Sequence, residues 1–281
     1  MDKGPSPERV IELAMDIGAL SVRGNHDDAV VKERVQLSRA WEMLLAQEGN
    51  GSSDSTSDSN STTTRGATGT TSSNSNNTEY NTSSLETSNK GRIKTIIKND
   101  KNTIKNNGNT KNMNKYLRLA GLLKTLLLKY STPNKLKTMN YFNISIINNI
   151  KIKEIMNEIN KIQKLSSHLY TACILTDEQI EWLSQLPYYI QCIDLNAIFV
   201  HAGINSNIIN LTQQEPWVLM TMRSKLPSGK ITARALSDHP WANTYTGPKT
   251  IYFGHDTARG LQVFSHAYGI DTGIGVVYIV L

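Results

Sequence analysis

Residues 50–88 are mostly Ser, Thr and Asn, with almost no apolar side chains. Such a stretch buries too little surface to offset the entropy lost on ordering, so its composition predicts disorder. Any core must then be assembled from residues 1–48 and 165–281. Neither segment carries enough apolar strands to close a sheet alone. They are expected to pack as one α/β domain, with 49–164 looped out between them. Closure entropy rises only slowly with loop length, so an insert of this size is tolerable.

Charge separates the insert from its flanks. Residues 90–164 hold 17 Lys and Arg against 3 Asp and Glu, a local excess of 14 in a chain whose net charge is +6. The basic pI therefore belongs to the insert, and the flanking core is acidic. A basic segment of this kind can bind nucleic acid, an acidic membrane surface or another anionic partner through counterion release. The plainer reading, a solvated insertion, is favoured, because base-stacking aromatics are sparse and no nucleic-acid motif is present. The apolar run 117–128 is broken by Arg118 and Lys124 and is too short to span a membrane, which takes about 20 residues. It reads as a short amphipathic helix. Cys173 and Cys192 make neither a disulfide framework nor a zinc-type spacing. No secretory signal is visible at the polar start, and the expected location is cytoplasmic.

Local patterning places the elements. Ser6 is a candidate cap, Pro7 takes the first helical position, and Val10, Ile11, Ala14 and Met15 form a stripe that stops at Gly18. Residues 19–22 read as a short buried strand, and 23–27 as the loop at its end. Residues 28–47 read as a helix. Thr176 opens a capped helix over 176–186. Residues 188–193, 197–200, 250–253, 261–264 and 276–280 read as strands.

Four glycine-bearing strings stand out: Arg23-Gly24-Asn25-His26-Asp27, Val200-His201-Ala202-Gly203, Gly254-His255-Asp256 and Gly269-Ile270-Asp271-Thr272-Gly273. The first three each follow an apolar run. Polar residues just past the carboxyl ends of strands are where open α/β sheets place their sites. Imidazole, amide oxygen and carboxylate groups are ligands for divalent ions of the Mn, Fe or Zn type. His168, His239 and His266 fall in no such string and read as ordinary polar residues.

In this order the strings resemble the later motifs of the calcineurin-like metallophosphoesterases, closest to the ApaH-like phosphatases related to diadenosine tetraphosphatases and Ser/Thr protein phosphatases. The resemblance covers the two core segments and not the insert. It implies a four-layer αββα sandwich and metal-dependent hydrolysis of a phosphoric ester or anhydride. It further implies two divalent ions (Mn, Fe, Zn or Mg), with Asn25, His201 and His255 as ligands of the second. His26 would be the general acid, protonating the leaving oxygen, and Asp2 the carboxylate that orients it. Lys3, Arg223 and Arg259 would contact phosphate. Arg23 and Asp27 would shape the loop, and Asp271 would fix a turn beside the site.

The family's first metal motifs, an Asp-x-His and the first Asp of Gly-Asp-x-x-Asp, do not occur in the chain. They are expected upstream of Met1, so the chain reads as a fragment truncated at the sheet's N-terminal edge. The substrate class is a phosphorylated small molecule, polyphosphate or phosphoprotein. The alternative is an inactive phosphatase-like binding module that uses its basic insert to hold an anionic partner.

Overall fold

The protein is represented by a computed structural model that describes residues 4, 6–49, 95–97, 110–128 and 149–273. It is a mixed α/β fold. In chain order the helices are α1 (Pro7–Asp16), α2 (Asn25–Gly49), α3 (Thr110–Leu128), α4 (Asn149–Ile162), α5 (Ser167–Ile174), α6 (Asp177–Gln185) and α7 (Pro216–Thr221). The strands are β1 (Thr95–Ile97), β2 (Tyr189–Cys192), β3 (Ala197–Val200), β4 (Ser224–Lys225), β5 (Ile231–Thr232), β6 (Thr250–Phe253), β7 (Gln262–Val263) and β8 (Ala267–Gly269).

Six strands form one sheet in the order β1-β2-β3-β6-β8-β7, and β4 pairs with β5 in a separate ribbon. β3 and β6 run parallel, with Ile198 opposite Ile251. β6 and β8 are parallel too, with Tyr252 opposite Tyr268. The connection from β3 to β6 therefore crosses over, and the carboxyl ends of both strands emerge at the same edge. Ile198, Val200, Ile251, Phe253 and Ala267 bury on the face covered by Val218, Leu219, Met220, Met222 and Trp241.

The helices form a second core. Leu37, Ala40 and Trp41 of α2 meet Tyr116, Leu119, Ala120, Leu123 and Leu127 of α3 and Ile152, Ile155, Met156 and Ile159 of α4. These positions recur at three- and four-residue steps, so each helix turns one apolar stripe inward. A third, smaller cluster joins Ile11, Val30 and Val31 to Ala172, Leu175, Leu183 and Leu186. Across it lies Arg34 of α2, 3% exposed. It donates to the Ala172 and Leu175 carbonyls at the end of α5 and pairs with Asp177 of α6 at 2.7 Å.

Several expectations change. The insert is not simply looped out: among its described residues, β1 adds an edge strand to the sheet and α3 and α4 supply much of the helical core. Apolar stripes outweigh composition there. Residues 19–22 pair with no strand among the described residues; one backbone bond, Arg23 N–H to the Pro187 carbonyl at 2.7 Å, holds their end. Ser6 makes no side-chain cap, although Pro7 does open α1. Of the expected stripe Ile11 is fully buried but Val10 is 49% exposed, and Pro7 and Glu8 are buried beside Ile11. α2 starts three residues early, so Asn25 and His26 sit in its first turn. The Thr176 capping box is present in full. Cys173 and Cys192 are buried and form no disulfide. The single described sheet and ribbon do not display the expected second sheet. The expected strand at 276–280 and the low-complexity stretch 50–88 lie outside the described residues. No described helix is long and apolar enough to cross a membrane.

If α3 belongs to the core, truncating Leu123, which is fully buried, will destabilise the protein by about 2–5 kcal/mol. Leu13→Ala, at a site 60% exposed, will cost under about 0.5 kcal/mol. Urea unfolding midpoints measure both. Equal small effects would show that α3 packs on nothing.

Candidate metal centre

Two of the three converging side chains come from neighbouring strand ends. His201 follows β3 directly, and His255 stands two residues past β6. Since the strands are parallel and adjacent, the two imidazoles meet, with ring centroids 5.0 Å apart. The third, Asn25, arrives from the first turn of α2, far away in sequence. His201 Nε2 lies 3.0 Å from Asn25 Oδ1 and 3.2 Å from His255 Nδ1.

Local backbone devices hold these positions. Gly254 N–H donates to the His201 carbonyl at 2.9 Å, tying the loop after β6 to the end of β3. His255 itself has φ 68°, a left-handed conformation that costs a non-glycine residue of order 1 kcal/mol or more. Arg223 donates through Nη2 to the His255 carbonyl at 3.2 Å, which fixes that turn. Gly24 is required by space: a Cβ there would lie 2.8 Å from both Cε1 and Nδ1 of His201. Gly203 is required likewise, because a Cβ would lie 2.7 Å from Nε1 of Trp241, which donates to the Ala202 carbonyl at 3.1 Å. The two motif glycines thus let α2 and Trp241 close on the His201 turn from either side.

Burial sets the protonation of the pair. It lowers the His201 pKa to about 4, with Asp27 and, less, Asp271 pulling the other way. It lowers His255 to about 3, aided by the positive Arg223 and by His201 itself. Both rings are therefore neutral at pH 7, the form that ligates a metal. Asn25 Oδ1 and His255 Nδ1 then both flank His201 Nε2, which has at most one proton to share between these two neighbours. A cation would satisfy all three. Atoms about 2.1 Å from one ion and at right angles lie about 3.0 Å apart, close to the separations here. The donor set therefore fits a divalent ion. It contains an amide where a carboxylate is common: among the described residues no three His, Cys, Asp or Glu cluster at metal distance.

The other expected residues fall as follows. His26 lies beside Asn25, and its Nδ1 is 2.9 Å from Nε2 of His168, a residue that belongs to no motif and was missed for that reason. Asp2 and Lys3 lie outside the described residues. Arg223 is partly exposed and spends its bonds on the Ala233 and His255 carbonyls. Arg259 is held by Asp256, Ser224 Oγ and the Arg223 and Leu236 carbonyls, which turns its guanidinium into the protein. Arg23 pairs with Asp28 at 3.2 Å, and Asp27 accepts from Gly24 N–H at 3.0 Å. Both shape the turn into α2. Asp271 accepts from Gly273 N–H at 3.0 Å and lies beside Gly254.

No protein-family model and no curated protein matches the chain. Among solved structures it is similar to the crystal structure of a candidate diadenosine tetraphosphatase, at 26% identity and a TM-score of 0.36. The match covers 45% of this chain and 56% of that one, so the chain spans about half of that protein's length. A TM-score this low does not define a shared fold.

The depressed imidazoles link stability to pH. Unfolded histidines take up protons below about pH 6.5, whereas His201 stays neutral in the fold down to about pH 4 and His255 to about pH 3. Stability is therefore present above pH 6.5 and lost as pH falls through that window, by up to about 3 kcal/mol for His201. Urea midpoints recorded in chelator from pH 7 to 4 should fall, and the slope should flatten in His201→Gln. An unchanged slope in that variant would remove His201 as its source.

Proposed function

We propose that the protein is a metal-dependent phosphoric ester or anhydride hydrolase of the calcineurin-like metallophosphoesterase type, with that family's αββα layering. The observation that carries the reading is the convergence of Asn25 Oδ1, His201 Nε2 and His255 Nδ1, three motif residues from three separate parts of the chain. These residues would hold one divalent ion, with Mn, Fe, Zn and Mg as candidates; the family uses two. Bound there, the ion would supply positive charge against phosphate and a more acidic water.

The chain's own groups do the rest. Gly24 and the first turn of α2 set Asn25 and His26 side by side, so the ligand and the proton donor share one rigid frame. His26 delivers a proton to the leaving oxygen, which lowers the cost of developing charge there. Asp2 and Lys3 keep, by resemblance, the roles of orienting carboxylate and phosphate contact. Arg223, partly exposed beside His255, is the arginine we retain as a phosphate contact. We place Arg259 in the scaffold. The substrate class is a phosphorylated small molecule, a polyphosphate or a phosphoprotein, and the basic segment 90–164 is a weak docking site for an anionic partner.

Hydrolysis of p-nitrophenyl phosphate and of polyphosphate with and without Mn²⁺ tests the reading. Activity should require the ion, and His26→Ala should lower kcat by about 10²–10⁴ on a substrate with a poor leaving group. Gly24→Ala, which pushes on the His201 ring, should weaken Mn²⁺ binding by about 10–100-fold in a calorimetric titration. Asn25→Ala should weaken it more. Mn²⁺ binding without turnover would favour the inactive binding module, and turnover indifferent to chelator would end the metal reading.

A further inference from the structure

We propose that α1 carries a self-association surface, on which a second copy of this chain docks through its own α1, antiparallel about a two-fold axis beside Leu13. The inference stands apart from the hydrolase reading. The carrying observation is that α1 is apolar on two sides. One side is used: Ile11 is fully buried in the small helical cluster, and Met15 packs against that cluster. On the other side Val10 is 49% exposed, Leu13 60% and Ile17, at the helix end, 68%. At about 100° per residue these three fall within an arc of about 60°. Leu20, 64% exposed, extends the apolar surface just beyond the helix. Scattered exposed apolar residues are ordinary, whereas a contiguous line of them marks a contact surface.

The helix that bears this line is held firmly from behind. Glu8 pairs with Lys153 of α4 at 2.5 Å, and its carbonyl accepts from Nε2 of Gln179 in α6 at 2.9 Å. α1 therefore presents its outer side without reorganisation, which lowers the cost of association.

The charges beside the line say what covers it. Arg9 and Asp16 are both exposed, and neither makes an ion pair among the described residues. They sit about two turns apart on the same flank of the line, about 20° from each other around the helix. In an antiparallel pair with its axis beside Leu13, that flank of one copy meets the same flank of the other. Arg9 of each copy then comes nearly level with Asp16 of the other, and two opposite-charge pairs close the rim of an apolar seam. Glu12 lies further round the helix, outside the seam. Such an interface is isologous, so one patch supplies both halves, and an apolar centre with a polar rim is the usual anatomy of a contact. One short helix face falls short of the roughly 1,200 Å² that stable complexes bury, so the dimer is weak, with a Kd on the order of 100 µM.

Sedimentation equilibrium of the full chain, from well below to well above that Kd, tests the proposal. The average mass should rise towards two copies and stop there. Leu13→Glu, which puts a charge in the seam, should weaken association by about tenfold or more. Arg9→Glu or Asp16→Lys alone should weaken it by about 5–30-fold, since each sets like charges opposite one another twice. The two changes together should restore it to within about threefold of the native chain. Glu at the start of α1 and Lys at its end both suit the helix dipole, and Leu13 is exposed in the single copy, so the variants keep their fold; urea midpoints at low concentration verify this. A single copy at every concentration overturns the proposal. So does a mass that climbs past two copies, association indifferent to Leu13→Glu, or charge reversal without rescue.

Discussion

Arg34 is the interaction on which the rest of the arrangement depends. Its guanidinium is buried and reaches two carbonyls at the end of α5 and the carboxylate of Asp177 in the first turn of α6. Those partners lie 138 to 143 residues away. Removing a buried cation's partners costs several kcal/mol, so the geometry is enforced as much by the penalty for leaving it as by the gain from making it. One side chain thereby locks the N-terminal segment against the segment that follows the insert. α2 can then present Asn25 and His26 to the ends of β3 and β6.

Everything at the site follows from that docking plus the parallel pairing of β3 with β6. Parallel neighbours deliver His201 and His255 to one edge of the sheet. Burial keeps both rings neutral, and the close approach that buries them is open only because residues 24 and 203 lack a Cβ. The same glycines that mark the motifs in sequence are thus steric requirements in space. The left-handed turn at His255 adds a local cost that Arg223 and the Gly254 bond oppose.

The insert shows where composition misleads. Its lysine and asparagine content argues for a solvated loop, yet Tyr116, Leu119, Leu123 and Leu127, with Ile152, Ile155 and Ile159, form inward stripes that meet Trp41. A few apolar residues at helical spacing outweigh many polar ones, because the polar ones need only face water. Conversely, residues 19–22 look like a strand in isolation and pair with none among the described residues, and a strand exists only where a neighbour pairs with it.

The amino-acid sequence alone determined the chemistry available: which glycine-bearing strings carry Asn25, His26, His201 and His255, where the Thr176 cap opens a helix, and where β3 and β6 run. Those are local matters of residue type, spacing and period. Only the tertiary structure decided that Asn25 meets His201 across 176 positions, that His168 faces His26, and that Arg259 turns inward to Asp256. Such meetings depend on sheet register and helix docking, which are set by the burial of side chains distant in sequence, and no local pattern records them.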